Sequence, residues 1–297
     1  MIAPGERIAL TGGTGFIGAR FAARARRAGY RIRHLGRHAP ASGEDYRALD
    51  LGEGAVDPAG LEDCALVVHL AAYIPRDHAD PAEAERCWRI NAMGTLYLAQ
   101  AVARAGIRRF VQTTSANAYA PWESNPDEEA ALFPCSRGYY LGAKLLQEIY
   151  AAEICRDAGI ALATLRLASV YGPGQKTGAV AAIGSAVSAG RPVTLVDDGR
   201  FAADFVHVDD VVTALMLVTE SDATGAFNVG SGVRTTMIEL ADLCARLADT
   251  PATILREPPA DPGDPGFPAL AIHRMRALGY TPRGLAAGIT DMIRAAR

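Results

Sequence analysis

A tyrosine and a lysine stand four apart in Tyr140-Leu141-Gly142-Ala143-Lys144, so a helix there carries both on one face. The chain has ten tyrosines and, among 30 basic residues, only two lysines, Lys144 and Lys176. Composition alone predicts about 0.07 such pairs. The pair has a chemical use. A phenol titrates at about pH 10 and is a poor acid or base near neutrality. A neighbouring ammonium stabilises the phenolate and lowers that value. A third group should orient the oxygen on which the tyrosine acts. Thr113-Thr114-Ser115 ends an apolar run, and Ser115, 25 residues before Tyr140, is the candidate, with Thr114 as its substitute. Taken alone, a serine at a strand end is a capping hydroxyl.

Near the start, Thr11-Gly12-Gly13-Thr14-Gly15-Phe16-Ile17-Gly18 joins a strand-like run to a helical stretch. The glycines at 12 and 15 allow a tight turn and close backbone approach to a pyrophosphate. Gly18 lets the helix lie on the strand, and the helix N-terminus offers free N–H groups and a positive dipole end. Strand before and helix after make this a dinucleotide site. Its predicted contacts are Gly12, Gly15, Phe16, Ile17 and Gly18. Lys144 can also hold the nicotinamide ribose hydroxyls. The second strand ends in Leu35-Gly36-Arg37-His38, a small residue and an arginine where an acid would select NAD. Arg37 either pairs with a 2′-phosphate or is one of 28 arginines on a solvated loop. The expectation is NADP(H), with NAD as the alternative. Asp50-Leu51 follows the next strand, and Asp50 either accepts from the adenine amino group or closes a turn.

The elements that position these residues follow from periodicity. Strands are expected at Ile8–Thr11, Tyr30–Leu35, Ala65–Ala71, Phe110–Ser115 and Ala161–Val170. Helices are expected at Phe16–Ala28, about Ala82–Ala105 and about Tyr139–Ala158. This alternation predicts an α/β fold, a doubly wound parallel sheet with helices on both faces. Ligands bind such sheets at the C-terminal strand ends, where Ser115 lies. After Gly172-Pro173-Gly174 the pattern loosens, with a late strand at Phe227-Asn228-Val229 and a surface loop from Glu257 to Pro268. The expected domains are 1–170 for the dinucleotide, with 204–229 returning to it, and a smaller C-terminal substrate lobe from 171–203 and 230–297.

The 297 residues are 49% hydrophobic and 21% charged, an ordinary globular composition. A net charge of -3 argues against a nucleic-acid or anionic-membrane partner. No apolar run is long enough to span a bilayer, and the first strand starts too early for a secretion signal. The five scattered cysteines, Cys64, Cys87, Cys135, Cys155 and Cys244, form no C-x-x-C pair. They suggest reduced, buried thiols, a cytoplasmic setting and no metal site. His69, in a buried strand, and His207 are expected to be structural.

Together these motifs resemble the NAD-dependent epimerase/dehydratase family, the extended short-chain dehydrogenase/reductases. Matching segments also include His69-Leu70-Ala71-Ala72, Asn91-Ala92-Met93-Gly94-Thr95, Ser115 with Tyr119, Val170-Tyr171-Gly172-Pro173-Gly174, Asp204 to Asp210 and Asn228 to Gly232. The resemblance implies a Rossmann-like fold. It implies that Leu70, Ala71 and Ala72 line the cofactor and that Asn91 fixes the strand edge beside it. It also implies a homodimer through helices near 85–105 and 139–158. Tyr73 either lines the substrate cleft or packs its loop. Ala116, Asn117 and Ser169 stand where the family contacts substrate.

The sequence departs from the pattern in places. Relatives acting on sugar nucleotides carry an arginine where Ala203 stands, and another before a Gly-Asp, where Ala260-Asp261-Pro262 precedes Gly263-Asp264. Two such phosphate forks contribute about 1.5–3 kcal/mol each. Either Arg200, Arg234 or Arg256 substitutes, with Arg200 nearest, or the substrate lacks a diphosphate. Ala116-Asn117 replaces the acid pair that eliminates water, which disfavours dehydration. The expected activity is hydride transfer at a carbinol or keto carbon of a sugar or nucleotide sugar, by an epimerase or 4-ketoreductase. The alternatives are a reductase of a small non-nucleotide substrate and a non-catalytic cofactor sensor, which would lack the tyrosine or the lysine.

Overall fold

The computed structural model describes residues 2–41, 43–78, 80–134, 137–249, 251, 253–258 and 264–296. Cys135 and the stretch Ala260-Asp261-Pro262-Gly263 lie outside the described residues. The chain divides into two compact units. The first comprises Met1–Ala120, Ala131–Arg166 and Val212–Phe227, the second Pro121–Ala130, Leu167–Val211 and Asn228–Arg297.

Strands β1 (Arg7–Thr11), β2 (Arg31–Gly36), β3 (Tyr46–Ala48), β4 (Cys64–His69), β5 (Arg109–Ser115) and, up to Arg166, β6 (Ala161–Leu167) belong to the first unit. So do helices α1 (Phe16–Arg27), α2 (Ala82–Cys87), α3 (Gly94–Arg104) and α4 (Gly138–Asp157). In the second, β7 (Ser169–Tyr171) precedes α5 (Ala179–Ser188), β8 (Val193–Leu195) and β9 (Ala202–His207). Helix α6 (Val208–Thr219) and β10 (Gly225–Val229) cross from one unit's residues to the other's. The second unit then adds β11 (Arg234–Thr236), α7 (Met237–Ala248), β12 (Ile254–Arg256), α8 (His273–Ala277) and α9 (Leu285–Ala296).

The seven-stranded sheet runs β10-β6-β5-β4-β1-β2-β3. β1 pairs parallel with β2 and β4, β2 with β3, and β4 with β5. Ile8, Ala9 and Leu10 of β1 and Leu66, Val67 and Val68 of β4 are fully buried. Unbroken apolar strands of this kind need cover on both faces. Strand order reverses between β1 and β4, the crevice where such sheets bind ligands.

Two elements differ from the periodicity. The expected helix from 82 to 105 is broken by a π-helical stretch, Trp88–Met93. The expected strand Ala161–Val170 divides at Ala168, whose N–H donates to Val229 O at 2.9 Å. β6 stays in the large sheet, while β7 pairs parallel with β9 in a three-stranded sheet, β11-β9-β7. Within the second unit β8 and β12 pair parallel. Helices α5, α7 and α9 pack together over a core that includes Tyr171, Phe205, Leu240 and Ile289. Among the described residues, no helix is long and apolar enough to cross a membrane, and no His/Cys/Asp/Glu group is placed to hold a metal. Cys64, Cys87, Cys155 and Cys244 are buried free thiols.

Candidate active site

The glycine loop follows β1 and packs against the residues after β4. A Cβ on Gly12, whose φ is +69°, would lie 2.6 Å from Ala71 N. One on Gly18 would lie 2.1 Å from Gly12 O, and one on Gly15 3.1 Å from it. These glycines keep a bare backbone surface where loop, strand and helix converge. Gly15 is the N-cap of α1, with no side-chain cap and no acid in the first turn. The first N–H groups of α1 are therefore left for an anion. Phe16 lies under the Arg20 guanidinium, and Ile17 is half-buried. Bare backbone and an uncapped helix start fit a dinucleotide diphosphate.

A buried polar chain ties this loop to β4 and α3. Thr11 Oγ1 accepts from Leu70 N and Ala71 N, each at 3.2 Å, and lies 2.7 Å from His69 Nδ1. His69 Nε2 is 2.9 Å from Thr95 Oγ1, which donates to Asn91 O at 2.6 Å. The bonds agree on one proton arrangement. Thr95 donates onward, so it accepts from Nε2–H, and Nδ1 accepts from the Thr11 hydroxyl. Burial, with Lys144 nearby, pushes His69 down to about 3, so the ring is neutral. His69 is thus the satisfied core histidine that the sequence suggested. Asn91, on the π-helical stretch and fully buried, accepts from Tyr73 N at 2.6 Å and donates to Tyr73 O at 2.8 Å. It fixes the chain after Leu70, Ala71 and Ala72, which are themselves half-buried.

Two other contacts and one exposed side chain refine the expected cofactor wall. A Cβ on Gly94 would meet Leu51 Cβ and O at 2.7 Å, so α3 starts hard against Leu51. Asp50 Oδ1 accepts from Gly52 N at 2.8 Å, a turn-closing bond. Arg37 is exposed and has no partner among the described residues, and a Cβ on Gly36 would meet open space.

Helix α4 packs on β5 and on the turn after it. Its buried face carries Leu141, Ala143, Lys144, Gln147, Ala151 and Cys155. Two of these are polar, and each is answered. Lys144 Nζ donates to Thr113 O at 2.8 Å and to Gln147 Oε1 at 2.6 Å. Gln147 Nε2 donates to Gln112 Oε1 at 3.1 Å, and Gln112 Nε2 to Thr164 Oγ1 at 3.0 Å. Lys144 is thereby fixed to the strand that ends in Ser115, with one N–H uncommitted. Ser115 Oγ accepts from Asn117 N at 3.3 Å, so the serine does cap a turn, and its own proton stays available. Ala116 is buried and Asn117 half-buried.

The expected lowering of the Tyr140 phenol is not found. Burial, with Cys87 beside it, pushes Tyr140 up to about 12. Lys144 is tied to Thr113 and Gln147, and burial brings it down to about 7 against the opposing pull of Glu148. Desolvation outweighs the pairing that spacing suggested. Thr114, the substitute for Ser115, donates to Glu148 Oε2 at 3.1 Å. Glu148 is paired in turn with Arg166, which also reaches Tyr119 OH at 2.9 Å. Tyr73 donates its hydroxyl to Glu83, and Arg86 stacks over its ring 4.9 Å from the centroid. That is the loop-packing alternative for Tyr73.

A family model for the NAD dependent epimerase/dehydratase family matches residues 8–230, from β1 through β10. The chain belongs to that family. It is 33% identical over 239 residues to UDP-glucose 4-epimerase of Mycolicibacterium smegmatis, covering 77% of this chain and 74% of the relative. It is 28% identical over 294 residues to dTDP-L-rhamnose 4-epimerase of Burkholderia thailandensis, covering 81% of each. Among solved structures, MoeE5 in complex with UDP-glucuronic acid and NAD superposes with a TM-score of 0.85 at 27% identity, covering 98% of this chain and 99% of that one.

In this family member the second unit holds the remaining sequence candidates. Ser169 is half-buried on β7, in register with Phe205. Ala203 is buried within β9. Arg200 is exposed, and its side chain has no partner among the described residues. Arg234 donates to Pro265 O at 2.5 Å, and Arg256 lies 3.6 Å from Asp198. Asp204 accepts from Ser231 N, Ser231 Oγ, Gly232 N and Leu270 N, and acts as an internal anchor of that unit. His207 Nδ1 accepts from Asp209 N at 3.2 Å, a structural bond.

Proposed function

We propose that this chain is an NAD(P)-dependent epimerase or 4-ketoreductase acting at a carbinol or keto carbon of a sugar or nucleotide sugar. The observation that carries the reading is Lys144, a buried amine fixed by Thr113 O and Gln147 to the strand that ends in Ser115, one helical turn from Tyr140. The glycine loop and residues 70–72 hold the dinucleotide, which supplies the hydride acceptor or donor when bound. The raised phenol keeps its proton at neutral pH, so Tyr140 is set to give it to a substrate oxygen, or to receive it in the reverse direction. Ser115 keeps its hydroxyl proton available for the same oxygen while Asn117 N–H holds its Oγ in place. The uncommitted N–H of Lys144 serves the nicotinamide ribose.

NADP(H) is the preferred form on this reading, supported by exposed Arg37, unpartnered among the described residues, and by open space at Gly36 where an acid would otherwise stand. The first unit is the dinucleotide-binding one, and Ser169 and Arg200 of the second are the substrate-binding candidates. A homodimer is supported by Trp88 and Ile149, apolar side chains left exposed on the helical segments expected to pair. A non-nucleotide substrate is the second reading, favoured by buried Ala203 at the expected phosphate fork.

The test is native mass spectrometry of fresh protein, followed by assay with UDP- and dTDP-hexoses and their 4-keto forms. Co-purifying dinucleotide with epimerisation or ketoreduction is the expected result. Dinucleotide binding with no hydride exchange on any of these compounds sinks the reading.

A further inference from the structure

His78 lies on the loop that leaves the 70–72 segment toward α2. The start of that loop is fixed, because Asn91 holds both backbone groups of Tyr73, and Pro75 is buried behind it. The His78 ring meets the Tyr140 ring edge-to-face, with centroids 5.8 Å apart and planes at 77°. Its Nδ1 is buried and has no hydrogen-bond partner among the described residues. A buried ring nitrogen left unsatisfied is unfavourable, and natural structures usually give such a group a partner. Here the nitrogen belongs to a ring in contact with the phenol assigned to proton transfer.

We propose that His78 contacts the substrate directly, its ring hydrogen-bonding a hydroxyl next to the carbon that Tyr140 serves. The proposal rests on the hydride-transfer reading above. Among the described residues, the charged and titratable groups around the ring are Asp77, Arg137 and Tyr140. Burial and Arg137 push the imidazole down, against the opposing effect of Asp77, which favours the neutral ring. A neutral imidazole offers one donor and one acceptor, the complement of a sugar hydroxyl. A site built to bond a hydroxyl discriminates strongly against an analogue lacking it, because its own polar group is then left unpaired. His78 would therefore set substrate choice, while Tyr140, Ser115 and Lys144 perform the proton chemistry.

The experiment compares wild type with His78→Phe and His78→Asn on UDP-glucose and dTDP-glucose, alongside the imidazole NMR signal of His78 during titration with each sugar nucleotide. His78→Phe keeps a ring edge against Tyr140 and removes the nitrogens, whereas His78→Asn keeps a donor and an acceptor. The expected result is a KM raised at least about 10-fold in His78→Phe, with kcat within a few-fold and dinucleotide affinity unchanged. His78→Asn should recover part of the loss, and the His78 signal should shift with sugar nucleotide. Wild-type kinetics in His78→Phe, or a His78 signal that no sugar nucleotide moves, overturns the proposal. Wild type that turns over neither compound, with a His78 signal that still shifts, refutes the hydride-transfer reading on these sugars and leaves His78 as a ligand contact.

Discussion

Burial sets the protonation of the two chemical residues on α4, bringing Lys144 down to about 7 and holding Tyr140 up at about 12. The four-residue spacing was legible in the sequence, but the direction of the phenol shift was not. Spacing reports which face a residue occupies, while the sign depends on what covers that face. The polar chain behind Lys144 was equally invisible, since Gln147, Gln112 and Thr164 join across 35 and 52 residues of chain. Two glutamines among apolar positions of a strand and a helix were the available signal. Arg37 gives a prediction at this scale. NADP(H) should bind more tightly than NAD(H), and Arg37→Ala should narrow the gap by about 10-fold, the scale of one charge-assisted contact. Fluorescence titration with both cofactors checks it, and an unchanged ratio would make Arg37 a solvated loop residue. His69 gives another. Its folded value of about 3 lies below the ordinary 6.5, so between those pH values the unfolded chain binds more protons. Stability from this group is therefore present above about 6.5 and lost as pH falls toward 3, by on the order of a few kcal/mol. Denaturation of wild type and His69→Gln across that window should show the wild-type advantage shrinking with acid. A constant difference would contradict the buried neutral ring.

The elements that hold the site were read correctly where their signals were local. The glycine loop, β5 and α4 fall where periodicity and end signals put them. The π-helical stretch at Trp88–Met93 was missed, because residues 82 to 105 keep an uninterrupted helical pattern with no proline to mark a break. A π-helical turn of that kind is frequent at functional sites. Here it carries Asn91, and Thr95 in the next turn takes the Asn91 carbonyl. Gly94, just after it, is a sharper test than the loop glycines. An added Cβ would strike Leu51 Cβ and backbone O at 2.7 Å, so α3 and the Asp50-Leu51 turn must separate. Gly94→Ala should lower Tm by several degrees and weaken dinucleotide binding at least about 10-fold, in line with overpacking costs of 1–3 kcal/mol. Calorimetry with and without cofactor checks this, and an unaffected Kd would place Leu51 outside the cofactor wall.

At the scale of the whole molecule, the family and fold class were legible because many short motifs recur in order along 8–230. The path of the chain between units was not, since the division at Ala168 depends on a bond to Val229, 61 residues away. Substrate class is where the sequence is least informative. The Arg234 and Arg256 side chains face partners in their own unit, while the Arg200 side chain has none among the described residues. UDP binding, if measurable, should therefore weaken at least about 10-fold in Arg200→Ala and little in Arg234→Ala or Arg256→Ala. Isothermal titration checks it. Tight UDP binding that survives loss of all three arginines would contradict this assignment. The central claim is that Tyr140 transfers the proton that accompanies hydride transfer. Its most direct test is kcat for wild type and Tyr140→Phe on the nucleotide sugar turned over best, measured together with dinucleotide affinity. The account predicts a loss of at least about 100-fold in kcat with fold and affinity retained. Turnover of Tyr140→Phe at the wild-type rate would contradict it.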